Sequence, residues 1–574
     1  YFVSVCVTPV ACRYFLGHGH PGGFAARVGR MIERLAERYS EILRVVLPYR
    51  RTILVASALL VIASAFAALY LPSTFFPEID ESMEQVYVRF APGTSLQDSA
   101  RQIQAMGEVL RKELPPGAVE LVLTNIGSPS NARSAMNSPN NGPHMGFIRL
   151  QLVDPEKRKL SQGELSDRIR DILNAHYPGV DFLEEPGGLV ASVFSNGYIA
   201  PLVVEVRGEN LAELDRQAKA VAEVARTVPG IRDIYPSLEM DYPEIHVDLD
   251  RQQAGMVDVT ARDAAQASLE ATLGNINTPS VWVDAANGQS YYVVTYYDGK
   301  YIPDVSGLER VPVRVGKRAA AVTLGAYGDV RRAVGPVAVE RNQLERAAHV
   351  MMQTEGRDIG SAAEELQRKL EHDPRTKNVK FSFVGQVDLM RTTFSGLGLA
   401  IGLAVMVVFM IMASQFKSLR LPFVMLFTIP CTMIGIVLAL MAAGQGFSVT
   451  ALMGILMVVG IAVSNGILLV DHANKRFNEG LSAVDAVVDA ARTRFVPIVM
   501  TSLATVIGLI PTAMALEKGS EANRPLALAV VGGLTSSTFL SLFLVPVMFL
   551  YFARRESVPA AEQHVPAHPA PTHA

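Results

Sequence analysis

The residues with chemistry to offer lie inside apolar runs. The stretch Gly454 to Pro511 reads GILMVVGIAVSNGILLVDHANKRF, then an amphipathic loop, then ARTRFVPIVMTSLATVIGLIP. Each apolar run is long enough to cross a bilayer. The first carries Ser464 and Asn465 at its middle, the second Thr501, Ser502 and Thr505. Hydrocarbon has no water for such groups, so they must meet other protein or a hydrated path. Two readings follow: a proton or ion route, or helix packing through small polar residues. Met83, Met136 and Met145 are soft-ligand types, but no close spacing ties them together, and packing is the plainer reading. His564, His568 and His573 fall in a Pro/Ala-rich tail that reads as disorder. The sequence holds no nucleophile–base arrangement, phosphate-cradling loop, CxxC or HExxH, so neither an enzyme nor a bound metal or cofactor is expected.

Composition sets the frame for these runs. The 574 residues are 49% hydrophobic with mean hydropathy +0.24, too apolar for an ordinary soluble protein. A net charge of −3 supplies no basic face for nucleic acid. Cys6, Cys12 and Cys431 all lie in apolar runs and read as small buried hydrophobes, with no disulfide framework. The opening YFVSVCVTPVACRYFL has no initiator Met and no charged n-region. Residues 1–16 therefore read as the end of a membrane helix, and the chain as a fragment or split gene product.

Between residues 24 and 46, Phe24, Val28, Met31, Ile32, Leu35, Tyr39, Ile42, Leu43 and Val46 recur at helical steps, with arginines and glutamates filling the other face. That pattern predicts an amphipathic helix on the membrane surface. Residues 51–71 form the first complete span, and five more fall between 391 and 552. Lys417 and Arg420, then Lys475, Arg476, Arg492 and Arg494, then Arg554 and Arg555 mark the same side of the membrane. By the charge rule that side is cytoplasmic, with a disordered tail at 553–574. The long polar region from 72 to 390 then lies outside the cytoplasm.

That outer region alternates strand and helix signals. MEQVYVRFAP, AVELVLTNIG, HMGFIRLQLV and VDFLEE read as strands, with helices over Thr94 to Leu114 and Ser161 to Tyr177. PLVVEVRG, a helix from Leu211 to Val228, IRDIYP, a helix from Ile359 to His372 and VKFSFVG repeat the theme. The fold class expected is a membrane α-helical bundle with ferredoxin-like α+β subdomains outside it. An insertion interrupts the second subdomain, with hairpin signals at Asn287-Gly288 and Asp298-Gly299. Gly127 to Pro143 reads GSPSNARSAMNSPNNGP, either a mobile gate over a pocket or a solvated connector.

One membrane helix, a long outer α+β region and a packet of five helices resemble the C-terminal half of a resistance–nodulation–division (RND) efflux transporter. FFPEID resembles that family's entry into its porter domain. GIAVSNGILLVDHA, RTRFVPIVMTSLATVIGLIP and VVGGLTSSTFLSLFLVP resemble its tenth, eleventh and twelfth helices. The resemblance implies an inner-membrane homotrimer of a Gram-negative cell, working with a periplasmic adaptor and an outer-membrane channel. It implies porter subdomains over 72–250 and 331–390, and a docking insertion over 251–330. Family helices seven to twelve then fall on 51–71 and 391–552.

The resemblance also assigns residues. The family's proton relay pairs two aspartates of its first half with a lysine, an arginine and a threonine of its second. Here Ser464 stands at the lysine position with Asn465 beside it, and Arg494 and Thr501 match the arginine and threonine. The switch loop falls on Ser128, Asn131, Arg133, Met136 and Asn137, and the pocket strand behind it supplies Met145, Phe147 and Arg149. The small-molecule substrate expected is drug-like or amphiphilic, from periplasm or membrane lipid. Heavy-metal export and a non-transporting scaffold or translocation accessory are the alternatives.

Overall fold

The computed structural model describes residues 6–15, 24–77, 79–128, 140–188, 193–275, 279–314, 321–516 and 519–552. It divides into two compact units, Tyr1–Glu78 with Met390–Ala574, and Ile79–Leu389. The expected tail at 553–574 lies outside the described residues.

Three helices open the first unit: α1 (Thr8–Phe15), α2 (Phe24–Val46) and α3 (Arg50–Ala68). Cys6 and Cys12 are exposed, against expectation, because little packs on the segment that carries them; only Cys431 is buried. The apolar arc of α2 is shared between two surroundings. Ala36, Tyr39 and Leu43 are buried, whereas Met31, Leu35, Ile42 and Val45 stay exposed. Tyr39 Oη donates to Leu542 O at 2.6 Å. Arg44 pairs with Asp485 at 3.0 Å and Glu37 with Arg492 at 2.8 Å, which fixes α2 antiparallel to the helix Ala483–Ala513. One flank of α2 thus docks on protein, and only the other is left for a membrane surface.

The unit Ile79–Leu389 begins with β1 (Met83–Arg89), α4 (Leu96–Glu113), β2 (Val119–Ile126), β3 (Met145–Leu152), α5 (Gln162–His176) and β4 (Asp181–Pro186). The sheet is antiparallel in the order β2-β3-β1-β4, a βαββαβ subdomain. Two periodicities meet in its core. Val86, Val88, Ile148 and Leu150 point from the sheet at every second position, and Ile103, Met106, Leu110, Leu165, Ile169 and Leu173 answer at helical spacing. Ser95 caps α4, and a Ser161–Glu164 capping box starts α5.

The second subdomain repeats the plan with β5 (Leu202–Gly208), α6 (Leu211–Arg226) and β6 (Ile231–Pro236). The insertion follows: β7 (Tyr242–Leu249), α7 (Arg251–Met256), α8 (Ala261–Leu273), β8 (Ser280–Val283), β9 (Ser290–Val293), α9 (Val305–Glu309), β10 (Pro312–Arg314), β11 (Ala321–Thr323) and β12 (Gly328–Gly335). β12 pairs with β7 and closes it. The chain then resumes with β13 (Glu340–Asn342), β14 (Glu345–Thr354), α10 (Ile359–His372) and β15 (Phe381–Val384). β14 pairs with β5 on one side and with β6 and β13 on the other. The second and third strands of the βαββαβ plan are joined in the first subdomain by the segment after Ile126 and in the second by the insertion. Asn287-Gly288 turns the β8–β9 hairpin as expected. Asp298-Gly299 makes no hairpin: the Asp298 side chain caps a short 3-10 turn at Lys300 N instead.

The membrane packet holds α11 (Gln386–Phe416), α12 (Arg420–Leu426), α13 (Thr428–Ala442), α14 (Val449–Asn478), α15 (Ala483–Ala513) and α16 (Arg524–Phe552). Among the described residues, six helical segments of the unit are long and apolar enough to cross a membrane. The amphipathic loop expected after α14 is helical almost throughout, since α14 runs on to Asn478 and α15 starts at Ala483. Ser482 caps α15 at Asp485 N. α13 and α16 cross at Gly435 and Gly532, where a Cβ on either would collide with the carbonyl oxygen of the other. Ser536 Oγ accepts from Gly435 N at 3.1 Å and donates to Cys431 O at 3.0 Å, so the crossing is also polar.

Candidate functional site

In the membrane unit, α14, α15 and α16 bring three polar side chains into one buried line. Asn465 Nδ2 donates to Ser502 Oγ at 3.2 Å, and Ser502 and Thr538 hydroxyls share a hydrogen bond of 2.8 Å. All three are buried. The line gives each helix a polar partner in its apolar stretch, and its hydroxyl protons can reverse direction without breaking the chain.

The four expected relay residues are not gathered at one point. Asn465 belongs to the buried line, but its neighbour Ser464 points to the uncovered face of α14, in a row with Met453, Met457 and Gly460. Among the described residues, nothing outside its own helix lies within 4 Å of a Cβ built on Gly460. Thr501 is also exposed, and its hydroxyl turns back to Pro497 O at 3.1 Å and Ile498 O at 3.0 Å on its own helix. Arg494 lies about two turns N-terminal of Thr501, half-buried, and its Nε has no hydrogen-bond partner among the described residues. Thr538 was not anticipated. Its signal was the polar run Thr535, Ser536, Ser537, Thr538 inside an otherwise apolar span.

In the outer unit, Ser128 is exposed, while Asn131, Arg133, Met136 and Asn137 lie outside the described residues. Met145, Phe147 and Arg149 alternate on the helix-free face of β3. Register sets them beside Arg89, Tyr87 and Gln85 of β1, and Leu183 and Glu185 of β4 continue the same face. Met145 and Phe147 are buried rather than open to a cavity. Phe147 packs in a cluster with Tyr87, Leu183, Ala200, Val203 and Met351, which draws on both subdomains. A ligand would reach this face only as the sheets part.

A polar network borders that cluster. Arg149 Nε donates to Gln85 Oε1 at 2.8 Å, Gln85 Nε2 donates to Tyr87 Oη, and Tyr87 Oη donates to Glu185 Oε2 at 2.8 Å. Burial pushes the Glu185 carboxyl up to about 7, against the pull of the Tyr87 hydrogen bond and the Arg149 charge. Gln85, Tyr87 and Glu185 were missed, although the alternation of Gln85, Tyr87 and Arg89 with Val86 and Val88 marks them as one face. Further along the second subdomain, His349 sits between Glu205 at 3.1 Å and Glu340 at 2.5 Å. Burial works against its charge, but the two carboxylates win and raise its pKa above the usual value.

Comparison with known proteins places this architecture. The model of the AcrB/AcrD/AcrF family matches residues 1–553. The multidrug resistance protein MdtC of Proteus mirabilis is 26% identical over 562 residues, covering 96% of this chain and 52% of its own length. The cobalt-zinc-cadmium resistance protein CzcA of Cupriavidus metallidurans is 25% identical over 560 residues, with the same coverage of 96% and 52%. The crystal structure of a heavy metal efflux pump superposes with TM-score 0.76 at 24% identity, covering 91% of this chain and 53% of that one. The chain thus spans about half the length of the curated relatives it matches.

Proposed function

The chain belongs to the AcrB/AcrD/AcrF family of RND permeases, and from that membership we propose that it supplies the second half of a proton-driven pump for amphiphilic organic compounds. In this reading the unit Ile79–Leu389 is periplasmic and takes substrate from the periplasm or the outer leaflet of the inner membrane. A periplasmic adaptor, an outer-membrane channel and two further copies complete the assembly. The buried line Asn465–Ser502–Thr538 is the observation that carries the coupling. Ser464 and Thr501 flank it on uncovered faces of α14 and α15, where helices of a first half would bring acids to them. A protonated acid there finds neutral partners in Ser464 and Asn465, where a lysine would supply a fixed charge. Arg494 is the remaining cation of the relay.

The substrate class rests on the face of β1 and β3. Tyr87 and Phe147 offer aromatic area, and Arg149 with Glu185 offers charge beside it. Such a mixture suits amphiphiles. Residues of the switch loop, Ser128, Asn131, Arg133, Met136 and Asn137, would order the path to it. Export of a heavy-metal cation is the second reading, favoured by a match to CzcA as long and nearly as high as the match to MdtC. The test is expression of the full-length gene in an efflux-deficient host challenged with lipophilic dyes and, separately, with cobalt, zinc and cadmium salts. Dye export that collapses with the proton gradient and falls in Tyr87→Ala supports the reading. Protection against the metal salts alone overturns the substrate class.

A further inference from the structure

The two βαββαβ subdomains meet where β4 of the first lies beside β6 of the second, and two arginines of the first reach across. On the helix-free side, Arg89 Nη1 donates to Pro236 O at 2.8 Å, with its guanidinium 4.0 Å over the Tyr235 ring. On the helix side, Arg170 of α5 serves both subdomains. Its Nη2 is 2.8 Å from Glu184 of β4, Nε is 3.3 Å from Asp233 of β6, and Nη1 is 3.7 Å from Glu355.

Beneath Arg170 lies an excess of acid. Glu84 of β1 is 0% exposed and Glu184 is 1% exposed. Val86 stands opposite Glu184, so Glu84, two residues away, shares that face of the sheet. Glu84 Oε2 accepts from Gln162 Nε2 at 3.3 Å, while Glu84 Oε1 has no hydrogen-bond partner among the described residues. The groups around them do not supply the missing positive charge. α5 adds Asp167 beside Arg170, β6 adds Asp233, and β4 adds Glu185. Arg232 of β6 is turned to Glu355 at 3.0 Å.

We propose that Glu84 and Glu184 hold one proton between them, and that its loss draws Arg170 away from Asp233 and Glu355 and loosens the seam between the subdomains. With one proton on the pair, the single arginine balances one buried charge and still spans the seam. With none, two buried carboxylates compete for it in a low-dielectric setting. The contacts across the seam, already the longer ones at 3.3 and 3.7 Å, are those that give way. Arg89, which faces the other side of the sheets, keeps its hold and acts as the hinge. Burial pushes the Glu84 carboxyl up to about 8 and the Glu184 carboxyl well above the usual range. Ionising both acids is the costly step, so the folded pair keeps at least one proton through neutral pH and gives up the last on the alkaline side. This device belongs to the unit Ile79–Leu389 and stands whether or not the transport reading holds.

The test reads seam opening at Ala200, which is 1% exposed in the apolar cluster that spans the seam. Ala200→Cys in the full chain, in detergent, is alkylated between pH 6.5 and 8.5. Peptide mass spectrometry gives the rate at position 200 relative to an exposed control, Ala285→Cys. An acid with a pKa near 8 goes from about 3% to about 75% ionised over that range. The relative rate should rise about 25-fold on a Glu84 background, in step with the ionised fraction, and stay flat with Glu84→Gln. Should that variant not fold, Glu184→Gln serves instead, since it leaves one acid for one arginine, and it too should be flat. A flat profile in the parent, or the same rise in either glutamine variant, overturns the proposal.

Discussion

Asn465 and Ser502, on neighbouring helices, are joined by a buried hydrogen bond of 3.2 Å, while Ser464 and Thr501, one residue before each, face outward. The same pair of helices therefore has an inward polar row that holds it together and an outward row with no partner on another helix among the described residues. Ser502→Ala should cost about 1–3 kcal/mol, because it strips both Asn465 and Thr538 of a buried partner. Thr501→Ala should stay within about 0.5 kcal/mol, since its hydroxyl only folds back on its own helix. Thermal unfolding in detergent separates the two. Equal losses would place Thr501 in the packing rather than on a path.

The pH profile of stability should slope downward between the unfolded and folded values of Glu185. Its ordinary carboxyl value is 4.5, and burial raises it to about 7 in the fold. Between those values the folded protein binds more proton than the unfolded one, so stability falls as pH rises. Glu185→Gln keeps an acceptor for Tyr87 and removes the titration. Its urea midpoint should fall less steeply than the parent's from pH 5 to pH 7, and an unchanged slope would contradict the burial argument.

His349 should show the opposite kind of partnership. Its folded pKa is raised, so its contribution is present in full below the usual histidine value and fades as pH climbs through the folded one. His349→Gln leaves Glu205 buried with Arg207 and Asn342 as remaining partners. That residual support should hold the loss to about 2–3 kcal/mol, below the 3–5 typical of a fully orphaned buried charge. Unfolding at pH 6 reads the full effect, and the gap between parent and variant should narrow by pH 9.

Much of the architecture could be read from the residues because two periodicities are clean. The core row of α5, Leu165, Ile169 and Leu173, repeats at helical steps, and Val86 and Val88 alternate with Gln85, Tyr87 and Arg89. β14 escaped because His349 and Gln353 interrupt its apolar side, and their partners, Glu205 and the Glu184 carbonyl, lie far away in sequence. The division of the α2 arc between protein and solvent was equally hidden, since it depends on Asp485 and Arg492 of a distant helix. At the site, composition marked Asn465 and Ser502 as costly in hydrocarbon, but only tertiary placement tells an inward hydroxyl from an outward one.

Glycines test what the uncovered faces are for. Gly532 sits where α13 and α16 touch backbone to backbone, and a side chain there collides with Gly435 O. Gly532→Leu should therefore prevent the packet from assembling, well beyond the roughly 1–3 kcal/mol of ordinary overpacking. Among the described residues, Gly460 and Gly508 have nothing from outside their own helices within 4 Å of the Cβ they lack, yet they share outward faces with Ser464 and Thr501. Leucine at either should leave the thermal stability of this chain unchanged or slightly raised, because helix propensity improves and nothing is displaced. In the full-length protein the same substitutions should abolish export, since first-half helices would need close approach along those small-residue rows. Activity that survives Gly460→Leu and Gly508→Leu together would show that the rows face lipid, and would take Ser464 and Thr501 out of the coupling path with them.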